Sequence, residues 1–354
     1  MAQASGHGPV LSKVLPRRLP IAHVLGGQRD GLASFCGACN SQHGETICNA
    51  TVRFWTESSV SGIESSPRRA VVTGATSQIG VFLVPVLSQR GWLIDAISRK
   101  PPSSEAMTNL RWWRWDLDAS TVPQALAAAD TVFHLAALPS LPRHIPELAT
   151  RGVDRVIAMS STSRLTKADS PSSYERQVAA GLARAEEELA EICDQLGLAW
   201  TVFRPTMIYG AGLDQNVTTI ARWIRRFRFF PLVDNGLGLR QPVHADDLAH
   251  ACVAAVDAAP AFGRIFELAG GEQLSYREMV LRVFENEGMR PRFVPVPGLV
   301  LRALIQCLRV LPKYRYLTPA VIDRMAADLC FETAQADEAF GYRPRAFLRG
   351  SPDP

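Results

Sequence analysis

The chain has 354 residues, of which 47% are hydrophobic and 20% charged, and this composition excludes a disordered chain and fits one large or two smaller globular domains. Its formal net charge of +4 is too small to indicate nucleic acid as a partner. Apolar residues form no run of roughly 18, the length that a membrane-spanning helix needs. The seven cysteines show no paired framework, so we expect a cytoplasmic protein with reduced thiols.

Residues 1–66 differ from the rest, being rich in Gly, Ser, Pro and His without a sustained helical or strand period. We expect this extension to be poorly ordered, because too little apolar surface is present to offset the chain entropy. It contains a C-x2-C-x3-H-x4-C pattern formed by Cys36, Cys39, His43 and Cys48. Zinc accepts such a ligand set, but the spacing differs from that of a zinc knuckle, so we favour chance clustering and predict no metal site.

A regular alternation of strands and helices begins at Arg69. Runs rich in β-branched and aromatic residues predict strands at Ala70–Val72, Trp92–Ser98, Arg111–Trp115, Thr131–Leu135, Arg155–Met159 and Trp200–Phe203. Helical periodicity is clearest over Gln78–Leu87 and Val178–Leu196, although Pro85 predicts a kink or an early end in the first of them. The alternation predicts an α/β fold with a doubly wound parallel sheet of the Rossmann type and a small C-terminal substrate domain.

We expect three parts along the chain. They are the extension at 1–66, a nucleotide-binding domain at 67–260 with a substrate-side insertion at about 207–240, and a smaller C-terminal substrate-binding part at 261–354.

The segment Thr73–Gly80 lies between the first strand and the first helix, which is where α/β proteins place a phosphate-binding loop. Gly74 would allow a tight turn and Gly80 a close approach of the helix to the sheet, while N–H groups at the helix start would hold a diphosphate. Ser77 stands where the middle glycine of such a loop is usual. A plain strand-turn-helix is the alternative. We predict that the dinucleotide is bound by Gly74, Ala75, Thr76, Ser77, Gln78, Ile79 and Gly80.

From Arg69 to Phe347 the chain resembles the short-chain dehydrogenase/reductase superfamily, and within it the extended branch, the NAD-dependent epimerase/dehydratase family. The segments that carry the resemblance, in chain order, are Thr73–Gly80, Asp116–Leu117, Phe133–Ala137, Ser160–Thr162, Phe203–Gly210, Gln241–Ala249 and Phe340–Arg345.

This resemblance implies contacts with the cofactor beyond the glycine loop. Asp116 and Leu117 match the pair that contacts the adenine. Ala136 and Ala137 match the motif that lines the cofactor, and Pro205 lies in the segment that flanks the nicotinamide. The cofactor implied is NADP or NAD.

The end of the second strand decides between the two dinucleotides, because an acidic residue there favours NAD and a basic one favours the phosphate of NADP. Here Ser98 is followed by Arg99 and Lys100, so we favour NADP with Arg99 at the phosphate. A solvated turn is the alternative for these two cations. Asp95 lies inside the strand and is not expected to bind the ribose.

The resemblance implies catalysis by a Tyr, a Lys four residues later and a Ser or Thr. Ser161 and Thr162 match the hydroxyl position, and Tyr174 is the candidate proton carrier. However, Val178 occupies the Lys position. An alternative alignment on Glu186 instead puts Val178 at the Tyr position and again supplies no Lys, as in atypical members, some of which only bind the dinucleotide. A non-catalytic regulatory or assembly protein therefore stays open.

Arginines and aromatic residues interleave between Asn216 and Leu232, on a predicted helix. Arg222, Arg225 and Arg226 fall on one side of it and are candidates for binding the diphosphate of a nucleotide sugar, the substrate class that the resemblance implies. A solvated face and a contact with a membrane surface are the alternatives. A homodimer stays open.

Overall fold

A computed structural model describes residues 67–102, 107–299 and 327–349 of the protein. The N-terminal extension with its Cys and His pattern lies outside these residues. Within the described ranges, no helix has both the length and the hydrophobicity to cross a bilayer. Nor does any group of His, Cys, Asp and Glu in this part of the chain have an arrangement that would hold a metal ion.

One sheet of seven parallel strands organises the fold. Its strands are β1 (Arg69–Thr73), β2 (Leu93–Ser98), β3 (Leu110–Arg114), β4 (Thr131–His134), β5 (Arg155–Met159), β6 (Ala199–Pro205) and β11 (Arg264–Leu268), in the spatial order β11-β6-β5-β4-β1-β2-β3. Shorter strands pair outside it: β7 (Ile208–Tyr209), β8 (Phe230–Val233), β9 (Leu239–Arg240), β10 (Val243–His244), β12 (Leu274–Ser275) and β13 (Phe293–Val296). The strand order reverses between β1 and β4, and ligands of such sheets bind beyond the carboxyl ends at this point.

Helices cover both faces of the sheet. The α-helices are α1 (Gly80–Gln89), α2 (Ile145–Thr150), α3 (Ser163–Thr166), α4 (Ser173–Leu196), α5 (Val217–Phe227), α6 (Ala245–Ala255), α7 (Tyr276–Asn286) and α8 (Ala334–Phe340). Short 3-10 turns occur at Leu138–Ser140, Pro142–His144, Asp234–Gly236 and Ala259–Ala261.

Of the two effects expected of Pro85, the early end does not occur, because α1 continues through it to Gln89; a kink stays a prediction. A proline inside a helix removes one backbone hydrogen bond. In α1, Leu83, Val84 and Leu87 are buried, and their burial favours a continuous helix over an early end.

Neighbouring residues of each central strand enter different layers of the core. Val72 packs in the layer that contains Leu83 of α1 and Leu248 of α6, whereas Val71 packs with Leu189 of α4 on the other face. Both faces of the sheet are therefore buried, which explains why its strands are almost continuously apolar. The doubly wound fold predicted from the sequence is confirmed.

A third apolar cluster lies under α5 and α7. Ile224 of α5 and Phe284 of α7 are both fully buried in it, together with Phe347 near the end of the described chain. The insertion predicted at 207–240 and the part predicted to begin at 261 thus share a core. The predicted domain limits themselves stay a prediction.

Candidate functional site

The loop between β1 and α1 needs glycine at two places. Gly74 has a left-handed φ of 69°, and a Cβ added there would lie 2.8 Å from the backbone nitrogen of Ala136. A Cβ on Gly80 would lie 2.4 Å from the backbone oxygen of Ala75. The loop therefore packs against the segment after β4 and against itself more closely than any other residue type would permit.

This loop offers unused hydrogen-bond donors. Among the described residues, the backbone N–H groups of Thr76, Gln78 and Ile79 have no acceptor. The hydroxyl oxygen of Ser77 accepts from the N–H of Gly80 at 3.2 Å, so the serine at the middle position occupies one N–H group at the helix start that could otherwise donate to a ligand. The side-chain oxygen of Gln78 is buried without a partner in the described structure. Free amides at a helix start fit a diphosphate.

A cavity of about 360 Å³ opens beside the loop, at the carboxyl ends of the central strands. The predicted cofactor residues that line it are Gly74, Thr76, Ser77, Arg99, Asp116, Leu117, Ala136 and Ala137. Three other predicted cofactor residues belong to the loop but do not line the cavity: Ala75 and Ile79 are buried, and Gly80 begins α1. Pro205 is buried and is not among the residues that line this cavity.

Several residues of the cavity wall were not predicted from the sequence. They are Ile97, Ser98, Trp115, Asp118, Leu135 and Ser140. The Ser98 hydroxyl lies 2.9 Å from that of Thr76 and so joins the end of β2 to the glycine loop. Asp95, by contrast, accepts a hydrogen bond of 2.6 Å from the Trp113 indole and is buried inside the strand, as its position in the sequence indicated.

His134, at the end of β4, belongs to the Phe133–Ala137 motif, but the sequence predicts no role for its side chain. It is completely buried, and this burial lowers the pKa of its imidazole to about 4. Its Nδ1 lies 2.7 Å from the hydroxyl of Thr73 and its Nε2 lies 3.1 Å from the carbonyl oxygen of Ala137. Since a carbonyl only accepts, the neutral ring donates from Nε2 and accepts from Thr73 at Nδ1. His134 thereby ties the strand before the loop to a residue of the cavity wall.

A second cavity of about 400 Å³ lies beyond the ends of β5 and β6. Its lining includes Gln78, so neighbouring residues of one loop line the two cavities. The remaining lining residues are Ser161, Thr162, Ser163, Thr166, Lys167, Thr206, Met207, Ile208, Asp214, Gln215, Asn216, Arg240, Gln241, Leu329 and Phe331.

The two predicted hydroxyl residues of this cavity, Ser161 and Thr162, differ in the hydrogen bonds that their hydroxyl groups make. Thr162 is buried, and both its hydroxyl and its N–H donate to the carbonyl oxygen of Pro205, each at 3.1 Å. The hydroxyl oxygen of Ser161 accepts from the N–H of Ser163 at 3.1 Å, and no acceptor for its hydrogen occurs in the described part of the chain. Thr162 thus holds β5 to β6, whereas Ser161 can donate to a ligand.

Glu186 fixes the strand end beneath these hydroxyls. It is 2% exposed and accepts hydrogen bonds from the hydroxyl of Ser160 at 2.5 Å and from Nε of Arg204 at 3.0 Å. Nε of Arg164 lies 2.9 Å from its other oxygen. A buried carboxylate needs such partners, so Glu186 is part of the framework and not a group exposed to a ligand.

Tyr174 lies apart from both cavities. It is in the first turn of α4, 66% exposed, and is not among the residues that line either cavity. Lys167 instead lines the second cavity, directly after α3. Its place could not be predicted from the sequence, because the segment between β5 and α4 has no clear periodic signal.

The arginines of α5 also lie outside both cavities. Arg222 bonds to its own helix, with Nε 3.3 Å from the carbonyl oxygen of Thr218, and Arg225 pairs with Glu287 at 3.2 Å. Arg226 is exposed. The structure therefore does not bring these three residues together with Ser161. The apolar period of α5 turns Ile220 and Ile224 inwards, and the arginines consequently face away.

Comparisons with known proteins agree with this geometry. A family model described as NAD(P)H-binding matches residues 74–259. An uncharacterized protein of Sinorhizobium fredii is 26% identical over 343 residues, covering 87% of this chain and 84% of that protein. The mitochondrial NADH dehydrogenase (ubiquinone) 1 alpha subcomplex subunit 9 of Arabidopsis thaliana is 25% identical over 333 residues, covering 82% of this chain and 79% of that one.

Among solved structures, MoeE5 in complex with UDP-glucose and NAD has a TM-score of 0.61 at 22% identity, covering 79% of this chain and 95% of that one. At this level of identity the likeness shows a shared fold.

Proposed function

We propose that this chain, which belongs to the NAD(P)H-binding family, is an enzyme of the NAD-dependent epimerase/dehydratase branch of the short-chain dehydrogenases/reductases. It would transfer hydride between a nicotinamide dinucleotide and a nucleotide-linked sugar or a related carbonyl or alcohol. The observation that carries this proposal is the course of one loop. Thr76 and Ser77 line the first cavity, and Gln78, the next residue, lines the second. A dinucleotide seated on the loop would therefore reach from one cavity to the other.

In this proposal the first cavity holds the adenosine and the diphosphate. The unused amides of Thr76, Gln78 and Ile79 would bind the diphosphate oxygens, and Asp116 would lie near the adenosine. We favour NADP over NAD, because Arg99 lines the cavity and Asp95, the acidic residue of the same strand, is bonded to Trp113.

The second cavity would hold the reacting part of the substrate. A bound nicotinamide would supply or accept the hydride at the reacting carbon. The free hydrogen of Ser161 would then bond to the substrate oxygen and stabilise its charge. Lys167 lines the same cavity, and its ammonium group would supply or take up the proton that must accompany the hydride. Tyr174 has no part in this arrangement, because its side chain lies outside both cavities.

Turnover with purified protein tests the enzymatic proposal. The chain is mixed with each of a panel of UDP-sugars and with NADP+ or NAD+, which accept the hydride of a sugar alcohol, and in parallel reactions with NADPH or NADH, which supply hydride to a carbonyl; both the absorbance of the reduced nicotinamide and the sugar products are followed. Epimerisation would change the sugar without net change in the dinucleotide, so products have to be analysed directly. Product formation that disappears in a Ser161→Ala variant would support the proposal. Dinucleotide binding without any product would contradict it.

Dinucleotide binding without any product would favour a different function, that of a non-catalytic dinucleotide-binding subunit. One observation favours this alternative: Val178 stands where the family's lysine is expected, and Tyr174, four residues earlier, is exposed. The similar Arabidopsis protein is by its name a subunit of an NADH dehydrogenase. A pull-down with the tagged chain, with and without dinucleotide, tests this alternative. A stable co-purifying assembly whose recovery depends on the dinucleotide would support it.

A further inference from the structure

Helix α5 buries one side and exposes apolar rings on another. Val217, Ile220 and Ile224 are buried in the cluster beneath the helix, whereas Trp223 and Phe227 are 38% and 47% exposed. The buried side is sufficient to hold the helix on the fold, so the exposed rings are not explained by packing. Exposed apolar side chains that lie together, unlike scattered ones, are typical of a binding surface.

The exposed rings form one cluster with Phe229. The ring centroid of Trp223 lies 4.5 Å from that of Phe227 and 6.3 Å from that of Phe229, and the two phenylalanines are 6.3 Å apart. Arg228 ends the helix with a left-handed φ of 65°, and this turn brings Phe229 back to the other rings. The three rings therefore form one continuous aromatic patch and not three separate side chains.

Arginines surround this aromatic cluster. Arg222, Arg226 and Arg228 are exposed, and no carboxylate in the described part of the chain pairs with any of them. The guanidinium carbon of Arg226 lies 5.7 Å from the ring centroid of Phe227. Three cations without a described counter-charge thus border an exposed apolar surface.

A neighbouring strand adds further positive charge. The N–H of Phe230 donates to the carbonyl oxygen of Arg292 at 2.8 Å, which places the start of β13 beside the residue that follows the cluster. Arg290 and Arg292 are both exposed. The end of α5 and the segment before β13, which both lie next to the rings, therefore each carry exposed positive charges.

We propose that this basic aromatic surface, made of Trp223, Phe227, Phe229, Arg222, Arg226 and Arg228, docks on an anionic lipid membrane. Aromatic side chains favour the boundary between lipid headgroups and acyl chains, and arginines beside them attract acidic headgroups. The partly exposed rings would contact the apolar acyl-chain region of a bilayer, and the cations at their border would contact its anionic headgroups. This proposal is independent of the catalytic one, because none of the six residues lines either cavity.

Sedimentation with lipid vesicles tests the proposal. The full chain is mixed with vesicles of phosphatidylcholine and phosphatidylglycerol in equal parts, and with vesicles of phosphatidylcholine alone. We expect strong binding only to the mixed vesicles, decreasing as salt is added, because surface charges are screened. Two double variants, Arg222→Glu with Arg226→Glu and Trp223→Ser with Phe227→Ser, should each lower the partition coefficient by about tenfold or more.

Matched controls come from other exposed positions. Arg114→Glu, at the end of β3, reverses the charge of an exposed arginine, and Leu196→Ser, at the end of α4, removes an apolar side chain that is 45% exposed. Both should bind as the wild type does. The arginine variant removes no apolar contact, so it remains informative if the aromatic variant folds poorly.

Three outcomes would overturn the proposal. The first is equal binding to both vesicles that none of the variants changes. The second is no vesicle binding together with a dimer in light scattering that the Trp223→Ser and Phe227→Ser variant converts to a monomer, because the surface would then join two copies of the chain. The third is salt-sensitive binding to duplex DNA without binding to vesicles.

Discussion

The side chains of Thr73 and His134 are joined by a hydrogen bond of 2.7 Å between Oγ1 and Nδ1, one residue before the glycine loop begins. Burial keeps the imidazole neutral by lowering its pKa to about 4. The neutral ring also donates to the carbonyl oxygen of Ala137, so a single side chain links β1, β4 and the wall of the first cavity.

This pair predicts that stability falls on mild acidification. Between the ordinary histidine pKa and about 4, the unfolded chain takes up a proton at His134 that the folded chain does not. The free energy of unfolding should therefore decrease as the pH falls through this window, by up to roughly 3 kcal/mol at its lower end. Urea unfolding measured across this pH range checks the prediction.

A glutamine at position 134 provides the comparison. His134→Gln does not titrate, so its stability should vary less with pH than that of the wild type. Identical slopes for the wild type and His134→Gln would show that His134 is not buried as a neutral ring.

Gly80 should not tolerate a methyl group. In Gly80→Ala the new carbon would lie 2.4 Å from the backbone oxygen of Ala75, and the loop would have to shift. We expect a loss of about 1–3 kcal/mol in stability and weaker dinucleotide binding. Thermal unfolding and a fluorescence titration measure the two effects.

Gly181 is the matched control for this change. It lies inside α4, and an added Cβ would have no atom within 4 Å. Gly181→Ala should therefore stabilise the protein by roughly 0.5–1 kcal/mol, because alanine is the better helix former. If the two variants behaved alike, the close approach at Gly80 would be wrong.

Arg99 should decide between the two dinucleotides. Arg99→Ser would remove a charge-assisted contact with the 2′-phosphate, worth about 1.5–3 kcal/mol, and weaken NADPH binding by roughly 10- to 100-fold while leaving NADH binding unchanged. Lys100→Ser is the control, since Lys100 does not line the cavity. Calorimetric titration of each variant with both dinucleotides is the measurement. A wild type that prefers NADH would overturn the choice of NADP.

Substitution of Ser161 should mainly lower turnover, whereas substitution of Thr162 should mainly lower stability. Ser161→Ala removes the hydroxyl that is free to bond to substrate, and turnover should fall roughly 100-fold or more. Thr162→Val breaks the bond to the Pro205 carbonyl and should cost about 1 kcal/mol of stability. Steady-state rates and unfolding curves are measured for both. If the Ser161→Ala and Thr162→Val variants differed in stability but had equal turnover, the reacting oxygen would not lie beside Ser161.

Turnover of Tyr174→Phe tests the sequence prediction against the structure. The exposed position of Tyr174 predicts little change, whereas a proton carrier would be lost. An inactive Tyr174→Phe variant would mean that the helix start moves to the cavity when the substrate binds.

The sheet and its loop could be predicted because their signals are local. Val71 and Val72 belong to an apolar run that only a strand covered on both faces explains, and Gly74 and Gly80 stand at the two positions where a side chain has no room. Even so, sequence alone does not show that α1 continues past Pro85, since it does not show how much apolar surface the helix buries.

The second cavity was harder to predict because it depends on where loops run. Lys167 reaches it through a segment without periodicity, whereas Tyr174, a candidate because it follows β5 closely, lies at a helix start that turns to solvent. The shared side of the α5 arginines favours a substrate role, but the apolar spacing of Ile220 and Ile224 already turns that side away from the fold. The spacing does not encode whether the second cavity lies on that outward side.

Dinucleotide binding at the Gly74–Gly80 loop is the claim on which the site depends. Isothermal calorimetry of the full chain with NADPH and NADH tests it most directly, with Gly80→Ala as the comparison. We predict a one-to-one complex with at least one of the two, of which NADPH is favoured, and weaker binding by the variant. No heat with either dinucleotide, or binding that Gly80→Ala leaves unchanged, would contradict the claim.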